Sequence, residues 1–196
     1  MRRRTLLSLV ALTGLSPALA RAEDPRLSDR AIGKPDAKTQ VGEWFSLTCT
    51  HCAAFAQETF PQVKTKLIDT GKVFYVFHDF PLDQVALTAA MVARALPPER
   101  YEPFIGALFA SQDRWAFAQG VNSTEELWKM AALAGMSRTT FDATIADTVL
   151  RDAILAHQKA DAARWSIDST PTFVINGTKH PGEMDYDTFT KLIPDA

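Results

Sequence analysis

The sequence predicts an α/β protein in which a large helical segment interrupts the sheet. Three observations predict this fold class: residues 39–80 have the order strand, helix, strand; residues 83–164 show only helical periodicity; and strand patterns return after residue 170. A strand–helix–strand unit favours a parallel pair joined by a right-handed crossover. We therefore expect one domain made of residues 39–82 and 165–196, with a helical insertion over 83–164.

The first 22 residues have the layout of a secretory signal peptide. Three arginines at 2–4 precede an apolar run at 6–15, and small residues follow at cleavage spacing at 18–20. The apolar run is shorter than the roughly 20 residues that a membrane span needs. We therefore expect residues 1–22 to direct export to the periplasm and to be removed. The paired arginines also resemble a twin-arginine export signal, which is a second possible route.

Charge and cysteine content exclude several classes of function. Without the four arginines of the leader, the chain has 17 basic against 23 acidic side chains. Such an acidic chain has no electrostatic attraction to nucleic acid, so we expect no nucleic-acid partner. Two cysteines are too few for a multi-bridge scaffold, and they cannot alone complete a four-cysteine zinc site.

The first elements follow a polar segment. Residues 23–38 are polar and contain two prolines, which predicts a loose lead-in. Residues 39–48 are apolar and aromatic, and apolar side chains recur at helical spacing over 53–67. Gly71 has the position of a residue that ends this helix, and β-branched and aromatic residues at 72–80 predict the second strand.

The insertion over 83–164 is rich in alanine, and its periodicity predicts four or five helices. Pro97 and Pro98 separate the first helix from the next. Ser123 and Glu126 have the spacing of a capping box, which predicts a helix start at this point.

The end of the chain predicts a hairpin and a helix. Residues 170–175 form a strand pattern with Pro171 near its start, and Asn176-Gly177 is a strong signal for a two-residue hairpin turn. A second strand over 179–182 and a final helix over 186–193 complete the predicted order.

The motif Cys49-Thr50-His51-Cys52 lies where the first strand meets the helix. A sulfur at this position is close to the free N–H groups and the positive dipole end of the helix, which favours the reactive thiolate. His51 can donate a hydrogen bond to the sulfur, and its charged form attracts the anion. These effects stabilise the reduced form, so the disulfide should be easily reduced and a good oxidant.

Two other uses of the cysteine pair are open. A structural disulfide at this spacing closes a very small loop and constrains little of the unfolded chain. A copper or zinc carrier could use Cys49, Cys52 and His51, but the remaining histidines show no ligand spacing among themselves. The pattern therefore favours disulfide exchange, with no resident metal.

Together these motifs resemble the DsbA-like branch of exported thiol–disulfide oxidoreductases, which have a thioredoxin fold. The resemblance covers nearly the whole chain after the leader and depends on the segment Glu43 to Cys52, the stretch His78 to Asp83 and the later Thr170-Pro171. It implies a thioredoxin-like domain with an inserted all-helical subdomain. The commonest dipeptide between the cysteines of these oxidases is Pro-His, whereas this chain has Thr50-His51.

The resemblance also implies roles for single residues. Pro171 corresponds to a cis-proline opposite the disulfide, which leaves the backbone of Thr170 free to pair with an extended substrate; Thr50 joins them as a substrate-binding residue. Glu43 is a lone acid in an apolar strand and matches a buried acid that assists proton transfer to Cys52. The alternative for Glu43 is an acid on the open side of the strand.

We therefore expect a periplasmic protein dithiol oxidase that introduces disulfides into unfolded or reduced exported proteins. The resemblance implies re-oxidation by a DsbB-like membrane quinone reductase and no bound cofactor. A disulfide isomerase or reductase of the same fold is the alternative. Dedicated isomerases of this fold carry a separate dimerisation domain, for which residues 23–38 leave no room, so a monomer is expected.

Overall fold

The computed structural model describes residues 24–194, and their strands form one five-stranded sheet. The strands are β1 (Arg30–Gly33), β2 (Thr39–Phe45), β3 (Val73–Asp79), β4 (Thr172–Ile175) and β5 (Thr178–Pro181). They lie in the order β1-β3-β2-β4-β5, so β2 is central. The predicted signal peptide, residues 1–22, lies outside the described residues.

The central strand β2 has a partner on each side. It runs parallel to β3, with Glu43 opposite Phe77, which confirms the predicted parallel pair. On its other side β4 runs antiparallel and places Phe173 opposite Glu43. The carboxylate of the predicted site therefore lies in the middle of the sheet, between two aromatic neighbours.

The polar segment 23–38 contributes to the sheet, contrary to the loose lead-in that its composition predicts. Its strand β1 pairs antiparallel with β3 at the edge of the sheet. An edge strand needs hydrogen bonds on one side only, and these four residues have no alternating apolar pattern to reveal them. The side chain of Arg30 anchors the segment by donating to the carbonyl of Arg94 at 3.0 Å.

A continuous helical segment follows β2, as the spacing of its apolar residues predicts. It consists of α1 (Thr50–Ala54), a π-helical turn (Phe55–Thr59), α2 (Phe60–Val63) and a second π-helical turn (Lys64–Ile68). Pro61 has no N–H to donate, and the helix widens directly before it. Gly71 follows the helix with a positive φ of +80°, which favours glycine.

Residues 83–164, all of which the structure describes, form six helices rather than four or five. These are α3 (Gln84–Ala95), α4 (Pro98–Phe109), α5 (Gln112–Trp115), α6 (Ser123–Leu133), α7 (Arg138–Ile145) and α8 (Thr148–Trp165). The helix α5 is a single turn, which is too short for periodicity to reveal.

The start of α6 differs from the predicted capping box. The N-cap is Asn122, whose side chain accepts hydrogen bonds from the N–H groups of Thr124 and Glu125 at 3.0 and 3.4 Å. Asparagine and serine are about equally good caps, so the local pattern does not distinguish the two positions.

The predicted hairpin and last helix are confirmed. β4 and β5 pair antiparallel across Asn176 and Gly177, which both have positive φ angles, as a two-residue hairpin turn requires. The helix α9 (Tyr186–Lys191) closes the described chain.

The sheet separates two hydrophobic cores, because alternate residues of β2 point to opposite faces. Val41 and Phe45 enter the larger core, which the helical segment after β2 and much of the insertion share. Trp44 enters a smaller core with Phe80 and Val174. None of the helices in the described part of the chain has the length and apolar character of a membrane span.

Candidate active site

The two cysteines lie at the junction of β2 and α1. Cys49 is the N-cap residue of α1, and its sulfur accepts the backbone N–H of Cys52 at 3.2 Å. Both side chains are free thiols, but they differ in access, because Cys49 keeps 8% of its surface exposed and Cys52 keeps none. The motif therefore places a slightly accessible Cys49 next to a fully enclosed Cys52.

The surroundings of Cys49 favour its thiolate. Its pKa is lowered to about 6, mainly because the side chain of Cys52 donates a hydrogen bond to its sulfur. Contact with Thr170 and the backbone N–H groups of Cys52 and His51 lower the pKa further, while partial burial raises it. At neutral pH the Cys49 sulfur is therefore mostly a thiolate.

The surroundings of Cys52 have the opposite effect. Burial raises the pKa of this thiol far above its usual range, and the negative charges of Cys49 and Glu43 raise it further. Cys52 therefore remains protonated at neutral pH when the pair is reduced. The neighbouring sulfurs differ strongly in acidity because Cys52 is more deeply buried and lies near negative charges, whereas several hydrogen bonds favour the Cys49 thiolate.

The loop before β4 lies against Cys49. The Thr170–Pro171 peptide bond is cis, as predicted. The carbonyl of Thr170 lies 3.4 Å from the Cys49 sulfur, and the Pro171 carbonyl accepts the N–H of Gly182 at 2.8 Å. Thr50, the first residue of α1, is exposed beside the sulfur. Of the predicted substrate-binding residues, Thr50 is next to Cys49 in the chain and Thr170 contacts its sulfur, whereas Pro171 is buried.

Glu43 is buried below the cysteines, so it does not lie on an open side of the strand. Its carboxylate accepts a hydrogen bond from the Tyr75 hydroxyl at 2.7 Å. Burial raises the pKa of Glu43 to about 7, the Tyr75 hydrogen bond opposes this, and the negative charge of Cys49 adds to it. The carboxyl group is therefore close to half-ionised at neutral pH.

Glu43 also lines a cavity of about 190 Å³ whose other walls are mainly apolar and aromatic. Lys64 and Glu102, which are paired at 2.9 Å, lie in the wall of this cavity and are partly exposed. The buried acid is therefore adjacent to a space that is large enough for several water molecules.

His51 does not make the contact that its position predicts. Its ring is 71% exposed and its Nδ1 atom pairs with Oε2 of Glu183 at 2.9 Å, whereas its backbone N–H, not its ring, contributes to the low pKa of Cys49. The expected hydrogen bond from the ring to the sulfur is therefore wrong for this state.

Gln112 is a site residue that no pattern in the sequence indicates. Its buried side-chain amide donates to the carbonyls of Leu47 and Cys49 at 2.8 and 3.0 Å. It joins the insertion to the loop that carries Cys49. A lone glutamine in a one-turn helix has no local signal for such a role.

The stretch His78 to Asp83 contacts the loop before Cys49 through the side chain of Asp83. Asp83 caps α3 and also accepts a hydrogen bond from the hydroxyl of Thr48 at 2.6 Å, directly before Cys49. The ring of His78 stacks on Trp44 with 4.2 Å between centroids, and it pairs with Asp161 at 3.3 Å. These contacts are structural and leave His78 outside the cysteine site.

Metal binding finds no support in the geometry. Over residues 24–194 no group of three or more histidine, cysteine or acidic side chains is placed to hold a metal ion. The histidine that a copper or zinc carrier would use turns its ring toward Glu183.

Comparisons with known proteins agree with this geometry. A family model described as Thioredoxin matches residues 26–195. A protein of Rickettsia conorii, named "Putative protein-disulfide oxidoreductase", is 28% identical over 170 residues, which are 86% of this chain and 60% of that protein. The chain thus spans about 60% of the length of this curated relative.

Solved structures are also similar to this chain. The crystal structure of Wolbachia pipientis alpha-DsbA1 is 34% identical, with a TM-score of 0.79 over 85% of this chain and 89% of that one. BdbD from Bacillus subtilis shares the fold, with a TM-score of 0.74 at 21% identity over 84% of this chain and 90% of the other. The chain belongs to the DsbA-like branch of the thioredoxin superfamily, as its motifs predict.

Proposed function

We propose that this chain is a protein thiol–disulfide oxidoreductase that acts as a dithiol oxidase. The observation that carries the proposal is the difference between the two sulfurs. Cys49 keeps 8% of its surface exposed and has a pKa of about 6, whereas Cys52 keeps none and has a strongly raised pKa. Such a pair has one sulfur for exchange with other proteins and one that acts only within the site.

In the proposed reaction, the oxidised enzyme holds a Cys49–Cys52 disulfide. A substrate thiolate attacks the Cys49 sulfur, a mixed disulfide forms, and Cys52 leaves with the bonding electron pair and takes up a proton. The second thiolate of the substrate then attacks its partner sulfur, so the substrate gains a disulfide and Cys49 leaves as a thiolate. Two electrons pass from the substrate dithiol to the enzyme.

The direction of the reaction follows from the stability of the Cys49 thiolate. A low pKa stabilises the reduced enzyme relative to its disulfide, so the disulfide readily accepts electrons. The thiolate is also a good leaving group in the second step, which speeds release of the oxidised substrate.

Glu43 is proposed to move the proton of Cys52. A carboxyl group with a pKa of about 7 is partly protonated at neutral pH, so it can donate to the departing sulfur and later accept the proton back. The negative charge of Glu43 raises the pKa of Cys52, which supports a coupling between the two groups. The adjacent cavity offers the carboxyl group a connection to water.

Substrate is proposed to bind over Thr50, Thr170 and Pro171. An extended segment of a reduced protein would pair with the backbone of Thr170 beside the Cys49 sulfur, in the manner of strand addition. The chemistry of the site requires only a thiol and an unfolded backbone, which fits reduced exported proteins as the substrate class.

The leader supports a periplasmic location, and the family resemblance supports a re-oxidant. Residues 1–22 have the layout of a signal for export to the periplasm, where disulfides persist. After each turnover the dithiol needs an oxidant, for which the family resemblance suggests a DsbB-like membrane quinone reductase acting on a monomer. No bound cofactor is required by the exchange itself.

Equilibration with glutathione tests the proposal. The enzyme couple should be more oxidising than a cytosolic thioredoxin, and the protein should oxidise a reduced substrate faster than it rearranges a scrambled one. A thioredoxin-like potential would indicate a reductase, and preferential activity on the scrambled substrate would indicate an isomerase. The Cys49→Ser variant, which lacks the exchanging sulfur, provides the background rate.

A further inference from the structure

Glu183 reaches the active-site histidine from a distant part of the chain. It follows β5 and contacts Nδ1 of His51 through Oε2 at 2.9 Å, although 132 residues separate the two in sequence. Both side chains are partly exposed, so the contact lies at the surface beside the cysteines.

The residues on both sides of Glu183 are anchored to the site. The N–H of Gly182 donates to the carbonyl of Pro171 at 2.8 Å, and the carbonyl of Met184 accepts the hydroxyl of Thr59 at 2.9 Å. The backbone of Glu183 is therefore held between the proline loop and the helical segment after Cys52. A side-chain contact on such a held backbone loses less entropy than one between two free surface chains.

In this structure the His51 ring points toward Glu183. A protonated imidazole between the cysteines can donate to a thiolate, and so stabilise it. Here the Nδ1 atom faces a carboxylate, while the partners of the Cys49 sulfur are the side chain and N–H of Cys52, the N–H of His51, and Thr170. Glu183 and the Cys49 thiolate are thus two acceptors for one ring.

We propose that Glu183 is a positioning residue that holds the His51 ring away from Cys49 and so limits how oxidising the couple is. The inference rests on the proposed redox function and assigns a regulator of potential to the same site. It predicts that loss of the carboxylate frees the ring to stabilise the thiolate, which shifts the equilibrium toward the reduced enzyme.

A double-mutant cycle tests the proposal. Wild type, Glu183→Ala, His51→Ala and the double variant are each equilibrated with glutathione, so that enzyme disulfide and two glutathione thiols exchange with enzyme dithiol and glutathione disulfide. Glu183→Ala should raise the constant for enzyme reduction by about two- to fivefold, the range of an exposed ion pair. In the His51→Ala background the same substitution should have almost no effect.

Glu58 supplies a matched control. It lines the same surface depression as Glu183, so Glu58→Ala removes a neighbouring carboxylate and should leave the constant unchanged. An equal effect of Glu183→Ala in both backgrounds would show that its charge acts directly on the sulfur, and would overturn the proposal. A shift toward the oxidised enzyme, or none, would also overturn it.

Two further measurements keep the test decisive. If Glu183→Ala does not fold, Glu183→Gln keeps the size of the side chain and should shift the constant in the same direction by a smaller factor; no shift would contradict the proposal. The wild-type constant separately tests the oxidase function. A thioredoxin-like wild-type value would refute that function, while the ratios in the cycle would still report whether Glu183 acts through His51.

Discussion

Two buried carboxylates, Glu43 and Asp79, lie on neighbouring strands, and the charged groups around them differ. Glu43 on β2 accepts a hydrogen bond from the Tyr75 hydroxyl at 2.7 Å, and Asp79 on β3 accepts one from the Tyr101 hydroxyl at 2.9 Å. Asp79 is also paired with the guanidinium of Arg94, whereas among residues 24–194 no cation is paired with Glu43.

The comparison shows what a counter-charge does for a buried acid. The Asp79–Arg94 pair compensates its own burial, and Arg94 also donates to the carbonyls of Arg26 and Ser28, which fastens the N-terminal segment to α3. Glu43 has only a neutral donor, so burial raises its pKa to about 7 and allows it to exchange a proton near neutral pH.

Removing the cationic partner of Asp79 should have the largest effect on stability. Arg94→Met removes the counter-charge and leaves Asp79 buried and uncompensated, so the free energy of unfolding should fall by about 3–5 kcal/mol. Urea unfolding followed by circular dichroism measures the loss. Lys129→Met, which breaks the exposed pair with Glu126, should leave the free energy nearly unchanged. A similarly small loss for Arg94→Met would contradict the structural role of the buried pair.

Replacing Glu43 with a neutral side chain should change the pH dependence of stability. Because the pKa of Glu43 rises from 4.5 to about 7 on folding, its contribution is fully present below pH 4.5 and is lost as the pH rises through 7. This loss amounts to roughly 3 kcal/mol. The Glu43→Gln variant cannot ionise at this position, so it should gain that much relative to wild type between pH 4.5 and pH 8. Parallel urea unfolding of both reduced proteins at the two pH values measures it, and identical pH dependence would refute the raised pKa.

The same substitution should slow the chemistry. The amide introduced by Glu43→Gln keeps an acceptor for the Tyr75 hydroxyl but cannot supply a proton to Cys52, so oxidation of a reduced peptide at pH 7 should slow by about a hundredfold. Stopped-flow measurement of mixed-disulfide formation and resolution identifies the affected step. Glu102→Gln makes the same change elsewhere in the cavity wall and should alter the rate little. Equal slowing in both variants would exclude a specific role for Glu43.

The two cysteines allow the same comparison between two thiols in different surroundings. The expected effect is the smallest of those predicted. Iodoacetamide should label Cys49 with a half-maximal rate near pH 6, because hydrogen bonds stabilise its thiolate. At pH 7, Cys52 should react at least about tenfold more slowly, because it is buried and protonated. Mass spectrometry of the labelled peptides distinguishes the two sites. Equal labelling of both cysteines would show that the difference in their surroundings does not control reactivity.

Local patterns predicted much of the fold and the centre of the site. The cysteine motif, the Asn176-Gly177 turn and the Thr170-Pro171 loop each depend on neighbouring residues, and the structure has all three at the expected places. The predictions that were wrong also came from local patterns. Cap choice at Asn122 and the edge strand at 30–33 depend on small energy differences that a local pattern does not resolve.

Helical and strand periodicity and cysteine spacing are local properties, so the nucleophile, the fold class and the strand that carries Glu43 could all be read from the amino-acid order. The folded chain was needed to show that Gln112 holds the backbone of Cys49 and that the ring of His51 turns to Glu183. These contacts join residues far apart in the chain. Which polar side chain meets which depends on how the sheet and the insertion pack, and packing is a property of the whole fold.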